Sequence, residues 1–183
     1  MPTILGLSGS LRRGSYNSML LRAAAELAPA GCTVEIGSIE GIPLYNGDIE
    51  ENEGIPAAAA ALKDRVAACD ALLLVTPEYN YSLPGVFKNA IDWMSRPPAD
   101  IPRVFHDRRV ALMGATVGNS GTMNSQQAWL NVLRVLKMQP YFGSYGFFSG
   151  CTKLFDENGK LTDEKARGQV AGFMKGFAEF VAR

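Results

Sequence analysis

Apolar residues along this chain fall into two kinds of run. Short, nearly unbroken ones stand at Thr3–Leu7, Ala71–Val75 (Ala-Leu-Leu-Leu-Val) and Val110–Met113, with a more polar one at Thr33–Ile36. Between them the apolar positions open out to helical spacing, over about Asn17–Ala28, Ile55–Cys69, Gly85–Ser95, Met123–Lys137 and Asp163–Ala182. Strands covered on both faces read as continuous apolar runs, so these runs predict the strands of a parallel sheet alternating with helices. A weaker fifth strand, interrupted by glycines, is expected around Tyr141–Phe148. In the last helix Val170, Phe173, Met174, Phe177 and Val181 fall on one face, which predicts core packing. The stretch Ser95–Arg109, with Pro97, Pro98 and Pro102, has few periodic apolar positions and reads as a surface loop, a candidate rim over a site.

Five strands alternating with five helices predict an α/β fold: a doubly wound, five-stranded parallel sheet with helices on both faces. The expected strand order is the flavodoxin-like 2-1-3-4-5. With no internal repeat and no linker composition, residues 1–183 read as one domain. Ligands of such sheets bind at the carboxyl ends of the strands, near the point where the order reverses. The loops after strands one, three and four should therefore meet at a site.

The first of these, Ser8-Gly9-Ser10-Leu11-Arg12-Arg13-Gly14-Ser15-Tyr16-Asn17-Ser18, opens a helix. Backbone N–H groups at a helix start lack intrahelical partners and attract anions. This loop adds hydroxyls, an amide and guanidinium groups, a set suited to one terminal phosphate. Gly9 and Gly14 have P-loop spacing, but Ser15 stands where a P-loop needs lysine, which argues against a triphosphate–magnesium site. Glycines at 6, 9 and 14 do not spell the dinucleotide fingerprint either. Helix capping alone also accounts for Ser15 and Asn17.

The second loop, Thr76-Pro77-Glu78-Tyr79-Asn80-Tyr81-Ser82-Leu83-Pro84-Gly85, is stiffened by prolines. Its tyrosines and asparagine offer flat contacts and placed polar groups for a planar aromatic cofactor, or simply cover the sheet's end. The third, Ala115-Thr116-Val117-Gly118-Asn119-Ser120-Gly121-Thr122, has glycines that allow close backbone approach to a ring's heteroatoms.

Composition narrows the field without naming a chemistry. The 183 residues are 47% hydrophobic and 20% charged, with 18 basic and 18 acidic side chains and a formal net charge of zero. No basic excess points to nucleic acid. No apolar stretch is long enough to span a bilayer, and no charged segment followed by an apolar one suggests a leader, so a cytoplasmic location is expected. Cys32, Cys69 and Cys151 are odd in number and scattered, and the single His106 cannot anchor a metal site alone. His106 reads as a surface residue of the Pro-bearing loop, and Asp92 and Trp93 as structural features of their helix.

The residues Gly9-Ser10-Leu11-Arg12-Arg13-Gly14-Ser15-Tyr16-Asn17, then Thr76 to Gly85, continuing into Lys88-Asn89-Ala90-Ile91-Asp92-Trp93, resemble the NADPH-dependent FMN reductase family, in its quinone, azo-dye and chromate reductase branch. Length and element order agree over nearly the whole chain. The resemblance implies that Ser10, Leu11, Arg12, Gly14, Ser15, Tyr16 and Asn17 form the cradle for the FMN phosphate and ribityl chain. It implies that Pro77, Glu78, Tyr79, Asn80 and Tyr81 border the isoalloxazine, with Thr116, Val117 and Gly118 reaching the ring from the other side. It further implies NADPH or NADH as donor, hydride transfer to flavin N5, and a quinone-like or other small molecule as acceptor in a ping-pong cycle. A homodimer or homotetramer is implied as well. Relatives often carry Gly-Gly-x-Arg-x-Gln after the fourth strand, where this chain has Gly121-Thr122-Met123-Asn124-Ser125-Gln126; Asn124 replaces the arginine. The competing reading is a flavodoxin-like electron carrier that oxidises no nicotinamide itself. Zero net charge speaks against it, because carriers that dock basic partners benefit from an acidic surface. A weaker third reading is a sensor or scaffold that kept the fold without turnover.

Overall fold

The computed structural model describes residues 2–183. Four parallel strands, β1 (Thr3–Ser8), β2 (Thr33–Gly37), β3 (Ala71–Val75) and β4 (Arg109–Ala115), form the body of the sheet. The order is β2-β1-β3-β4, with β5 (Gln139–Pro140) beyond β4. The reversal therefore lies between β1 and β3, as the alternation of runs predicts.

The continuous apolar runs have a direct cause. Ala71, Leu73 and Val75 of β3 enter the core on one face of the sheet, while Leu72 and Leu74 enter the core on the other. The first core is closed by α1 (Tyr16–Glu26) and α7 (Glu164–Val181), whose Phe173, Met174 and Phe177 are buried. The second is closed by α3 (Ala57–Ala68), α4 (Gly85–Met94) and α6 (Met123–Val135). There Phe87 and Trp129 meet edge to face at 5.1 Å, an arrangement worth about 0.5–1.5 kcal/mol beyond its buried area.

Three features depart from the sequence-based expectation. The fifth strand is split. β5 pairs with Arg109–Val110, and β6 (Phe147–Phe148) pairs with Gly114–Ala115; Tyr141 N–H and the Gly146 carbonyl still bond to β4, and residues 142–145 lie off the sheet between them. Just after β5 the Tyr141 side chain packs onto α7, its ring 5.5–5.7 Å from those of Phe173, Phe177 and Phe180.

The Pro-bearing stretch is no rim over the site. It contains α5 (Ile101–Val104) and joins the end of α4 to the start of β4, which puts it at the amino end of the sheet, opposite the three loops. Val104 and Phe105 are fully buried. Lys63 of α3, itself buried, donates to Asp100 (2.7 Å) and to the Arg96 carbonyl (2.9 Å), and Arg108 donates to the carbonyls of Ala67 and Cys69. His106 lies in this segment and takes no part in the site.

The third departure is a short acidic helix, α2 (Gly47–Glu53), with no buried residue and therefore no apolar pattern to reveal it. Glu50 holds it in place by accepting from Arg96 (2.7 Å) and from the Tyr45 hydroxyl (2.9 Å). The Arg96 guanidinium keeps the Glu50 carboxyl below its ordinary range.

Candidate functional site

The three loops converge at the carboxyl ends of β1, β3 and β4, and hydrogen bonds tie them together in sequence. Gly9 N–H donates to the Val75 carbonyl (2.9 Å), and Thr76 N–H to the Met113 carbonyl (2.8 Å). A Cβ on Gly9 would stand 2.3 Å from Phe87 Cδ1 and 3.0 Å from Pro77 Cδ, so the first loop can lie against the second only because residue 9 has no side chain.

In the first loop Ser15 is the N-cap of α1, its Oγ accepting from Ser18 N–H at 3.3 Å. Ser10 Oγ faces Arg12 N–H at 3.4 Å. Among the described residues no oxygen accepts from the N–H groups of Leu11, Arg13, Gly14, Tyr16 or Asn17. Unpartnered donors at a helix start, with the exposed Arg12 guanidinium beside them and 6.0 Å from the Tyr16 ring centre, are a donor set that could hold an anion.

Asn17 does something the sequence reading did not anticipate. Its side chain is 4% exposed; Nδ2 donates to the Ala115 carbonyl and Oδ1 accepts from Ala115 N–H, each at 2.9 Å. This amide acts as a missing strand neighbour at the end of β4 and locks the first loop to the third loop. Its side chain is therefore committed to Ala115, and what it offers an anion is its backbone N–H.

The second loop makes a tight turn at Tyr79-Asn80-Tyr81-Ser82, closed by reciprocal backbone bonds of 3.0 Å between Tyr79 and Ser82. Asn80 (φ 50°) and Tyr81 (φ 61°) both adopt left-handed backbone. Asparagine tolerates this region, but a tyrosine there is strained, and Tyr81 is also 80% exposed, so no packing compensates. Tyr81→Gly should leave the fold intact and raise its stability by up to about 1 kcal/mol. Thermal unfolding of the variant checks this; lost stability would show that the tyrosine serves the fold.

Glu78 precedes that turn and is bonded to the third loop and to the first turn of α6. Its Oε2 accepts from Ser125 N–H (3.1 Å), and Oε1 from Asn124 Nδ2 (3.2 Å) and the Ser120 hydroxyl (3.4 Å). Beneath it Thr76 Oγ1 lies 2.9 Å from Ser125 Oγ and accepts from the Trp129 indole at 3.0 Å. Thr76, Ser120 and Ser125 were not singled out by sequence, since their partners lie 42–53 residues away and no local pattern marks them.

In the third loop Thr116 N–H donates to the Phe148 carbonyl (2.9 Å), and Gly118 N–H faces Thr116 Oγ1 (3.2 Å). Val117 stands exposed. Behind it Cys151 is buried, which pushes its thiol up to about 11. It stays protonated at neutral pH and is a packing residue rather than a nucleophile. Among the described residues no cluster of His, Cys, Asp and Glu could hold a metal ion.

The sequence over residues 2–152 matches the family described as NADPH-dependent FMN reductase. An NAD(P)H-dependent FMN reductase of Pseudomonas aeruginosa is 42% identical over 180 residues, covering 98% of this chain and 95% of that protein. A quinone reductase of Escherichia coli is 36% identical over 183 residues, again covering 98% and 95%. Among solved structures, the flavoenzyme NAD(P)H:(acceptor) oxidoreductase of Paracoccus denitrificans superposes with a TM-score of 0.88 at 30% identity, covering 100% of this chain and 98% of that one. By a family model spanning residues 2–152 and by relatives similar over almost its whole length, the chain belongs to the NADPH-dependent FMN reductase family.

Proposed function

We propose that this protein is an FMN-dependent NAD(P)H oxidoreductase that reduces quinone-like or other small acceptors. The observation that carries the reading is the meeting of three loops at the sheet's reversal point, one with unpartnered helix N–H groups and an arginine, two with aromatic and backbone edges.

The residues present fit FMN. The free N–H groups of Leu11, Arg13, Gly14, Tyr16 and Asn17, the Ser10 and Ser15 hydroxyls and Arg12 would hold its phosphate. Glu78 to Tyr81 and Thr116 to Gly118 would flank its ring, with Pro77, fully packed, fixing the loop's course. When bound, FMN would supply the redox chemistry, accepting a hydride from NAD(P)H and passing its two electrons to the acceptor, with the proton going to the reduced acceptor or to solvent. The chain's own part is placement. Asn17 holds the cradle against β4, Glu78 holds the second loop against the third, and the exposed Tyr79 and Tyr81 offer flat surfaces beside the open face of the site. No side-chain acid–base pair is required for this work.

Arg12→Ala should weaken FMN binding by about 1.5–3 kcal/mol, roughly 10- to 150-fold, through loss of one charge-assisted phosphate contact. Fluorescence titration measures it, and an unchanged dissociation constant would remove Arg12 from the cradle. The carrier alternative is not favoured: the similar proteins named above are described as reductases or oxidoreductases of nicotinamide, FMN or quinone.

Self-association as a dimer or tetramer belongs to the same proposal. It is supported by the exposed apolar side chains Met123, Leu130, Phe142, Tyr145 and Phe147, which line a cavity of about 450 Å³ along the β4 edge. Sedimentation equilibrium gives the mass. A cytoplasmic location fits the three unpaired cysteines, and no described helix is long and apolar enough to cross a membrane.

A further inference from the structure

We propose that Glu78 is a positioning residue: it caps α6 from the neighbouring loop and so holds the second and third loops at one separation around the cofactor. The inference rests on the reading of that site as FMN-binding.

Helix α6 has no cap of its own. Its N-cap residue, Thr122, sits in left-handed backbone (φ 65°) and makes no capping bond; its Oγ1 accepts instead from Gln126 Nε2 at 3.2 Å. The first turn contains no acidic residue. A helix start in that condition leaves N–H groups and partial positive charge unanswered. Glu78, 47 residues earlier, answers both. Its carboxylate accepts from Ser125 N–H in the first turn and from the Asn124 and Ser120 side chains.

Two further facts say that the contact does more than end a helix. Glu78 lies immediately before the strained Asn80–Tyr81 turn, and strained backbone persists only where surrounding contacts over-determine it. In addition, the two loops that Glu78 joins are the ones that flank the flavin ring in the proposed site, so a change in their separation acts on binding directly. Asn124 takes on meaning in this arrangement. It is a short neutral amide that donates to Glu78 at 3.2 Å, leaving the helix terminus as the positive partner of the carboxylate.

The test compares holoprotein carrying Glu78→Ala, Glu78→Gln, Asn124→Ala and the Glu78→Ala/Asn124→Ala pair. FMN dissociation constants, corrected for the folded fraction, are read beside thermal midpoints. Glu78→Ala is expected to weaken FMN about tenfold in protein that is still folded, and Asn124→Ala about twofold to threefold. Glu78→Gln should fall between Glu78→Ala and wild type, because its amide oxygen still accepts from Ser125 N–H. In the Glu78→Ala background Asn124→Ala should add nothing, since its partner is gone. If Glu78→Ala does not fold, Glu78→Gln with and without Asn124→Ala reads the same coupling. A lowered midpoint with unchanged FMN affinity would reduce Glu78 to a structural cap and overturn the inference, as would fully additive effects. Wild-type protein that binds no FMN would overturn the reading of the site as well, a result distinct from either.

Discussion

Asn17→Ala should destabilise the protein by about 3–5 kcal/mol, a large share of the roughly 5–15 kcal/mol that holds an ordinary domain folded. The amide is buried and spends both polar atoms on Ala115, at 2.9 Å each. Truncation leaves the Ala115 N–H and C=O without partners in a place water reaches poorly, at about 1–3 kcal/mol apiece, and empties the space the side chain filled. Asn17→Asp separates the two halves of the interaction: its carboxylate can still accept from Ala115 N–H but faces the Ala115 carbonyl with no donor. It should therefore cost nearly as much as alanine at neutral pH, despite its similar shape. Denaturant unfolding of both variants gives the numbers. A loss below about 1 kcal/mol for Asn17→Ala would mean that the bridge between the first loop and β4 is dispensable.

Gly114→Ala is expected to be of the same order, about 3 kcal/mol or more, for a steric reason. A Cβ at that position would lie 1.8 Å from Thr122 Oγ1, 2.8 Å from Thr122 Cβ and 2.5 Å from the Thr76 carbonyl oxygen. The threonine hydroxyl can rotate, but the Thr76 carbonyl is backbone and its residue is fixed by Ser125 and Trp129. The added methyl must therefore push the second loop from the third. Unfolding curves should show the loss, and FMN affinity of the remaining folded fraction should fall with it. Wild-type stability in Gly114→Ala would show that the two loops have room to separate.

The sheet was legible where burial alone decides the pattern. β1 and β3 are covered on both faces, so their sequences are continuous apolar runs, and their spacing fixes a parallel order. The split of the fifth strand was not legible: beside it Tyr141 packs on three phenylalanines of α7, a contact across about 30–40 residues that periodicity does not record. The prolines of Ser95–Arg109 suggested a surface loop, yet Val104 and Phe105 plug the core; two adjacent apolar residues carry no period to detect.

The site divides in the same way. Hydroxyls, arginines and a helix start lie together in sequence, so the proposed phosphate cradle is readable as a loop. Roles set by distant partners are not. Asn17 meets Ala115 98 residues away, and Glu78 meets Ser125 47 residues away. From sequence both resemble ligand-binding side chains, because an exposed cap, a cofactor contact and a buried clamp all use the same residue types.

The most direct test of the account is a visible spectrum of the purified protein, followed without oxygen as NADPH and then a quinone are added. Bound FMN should give a yellow protein whose band is bleached by NADPH and restored by the quinone. A yellow protein that neither NADPH nor NADH bleaches would contradict the reductase function, and a colourless protein that FMN neither binds nor stabilises would contradict the reading of all three loops.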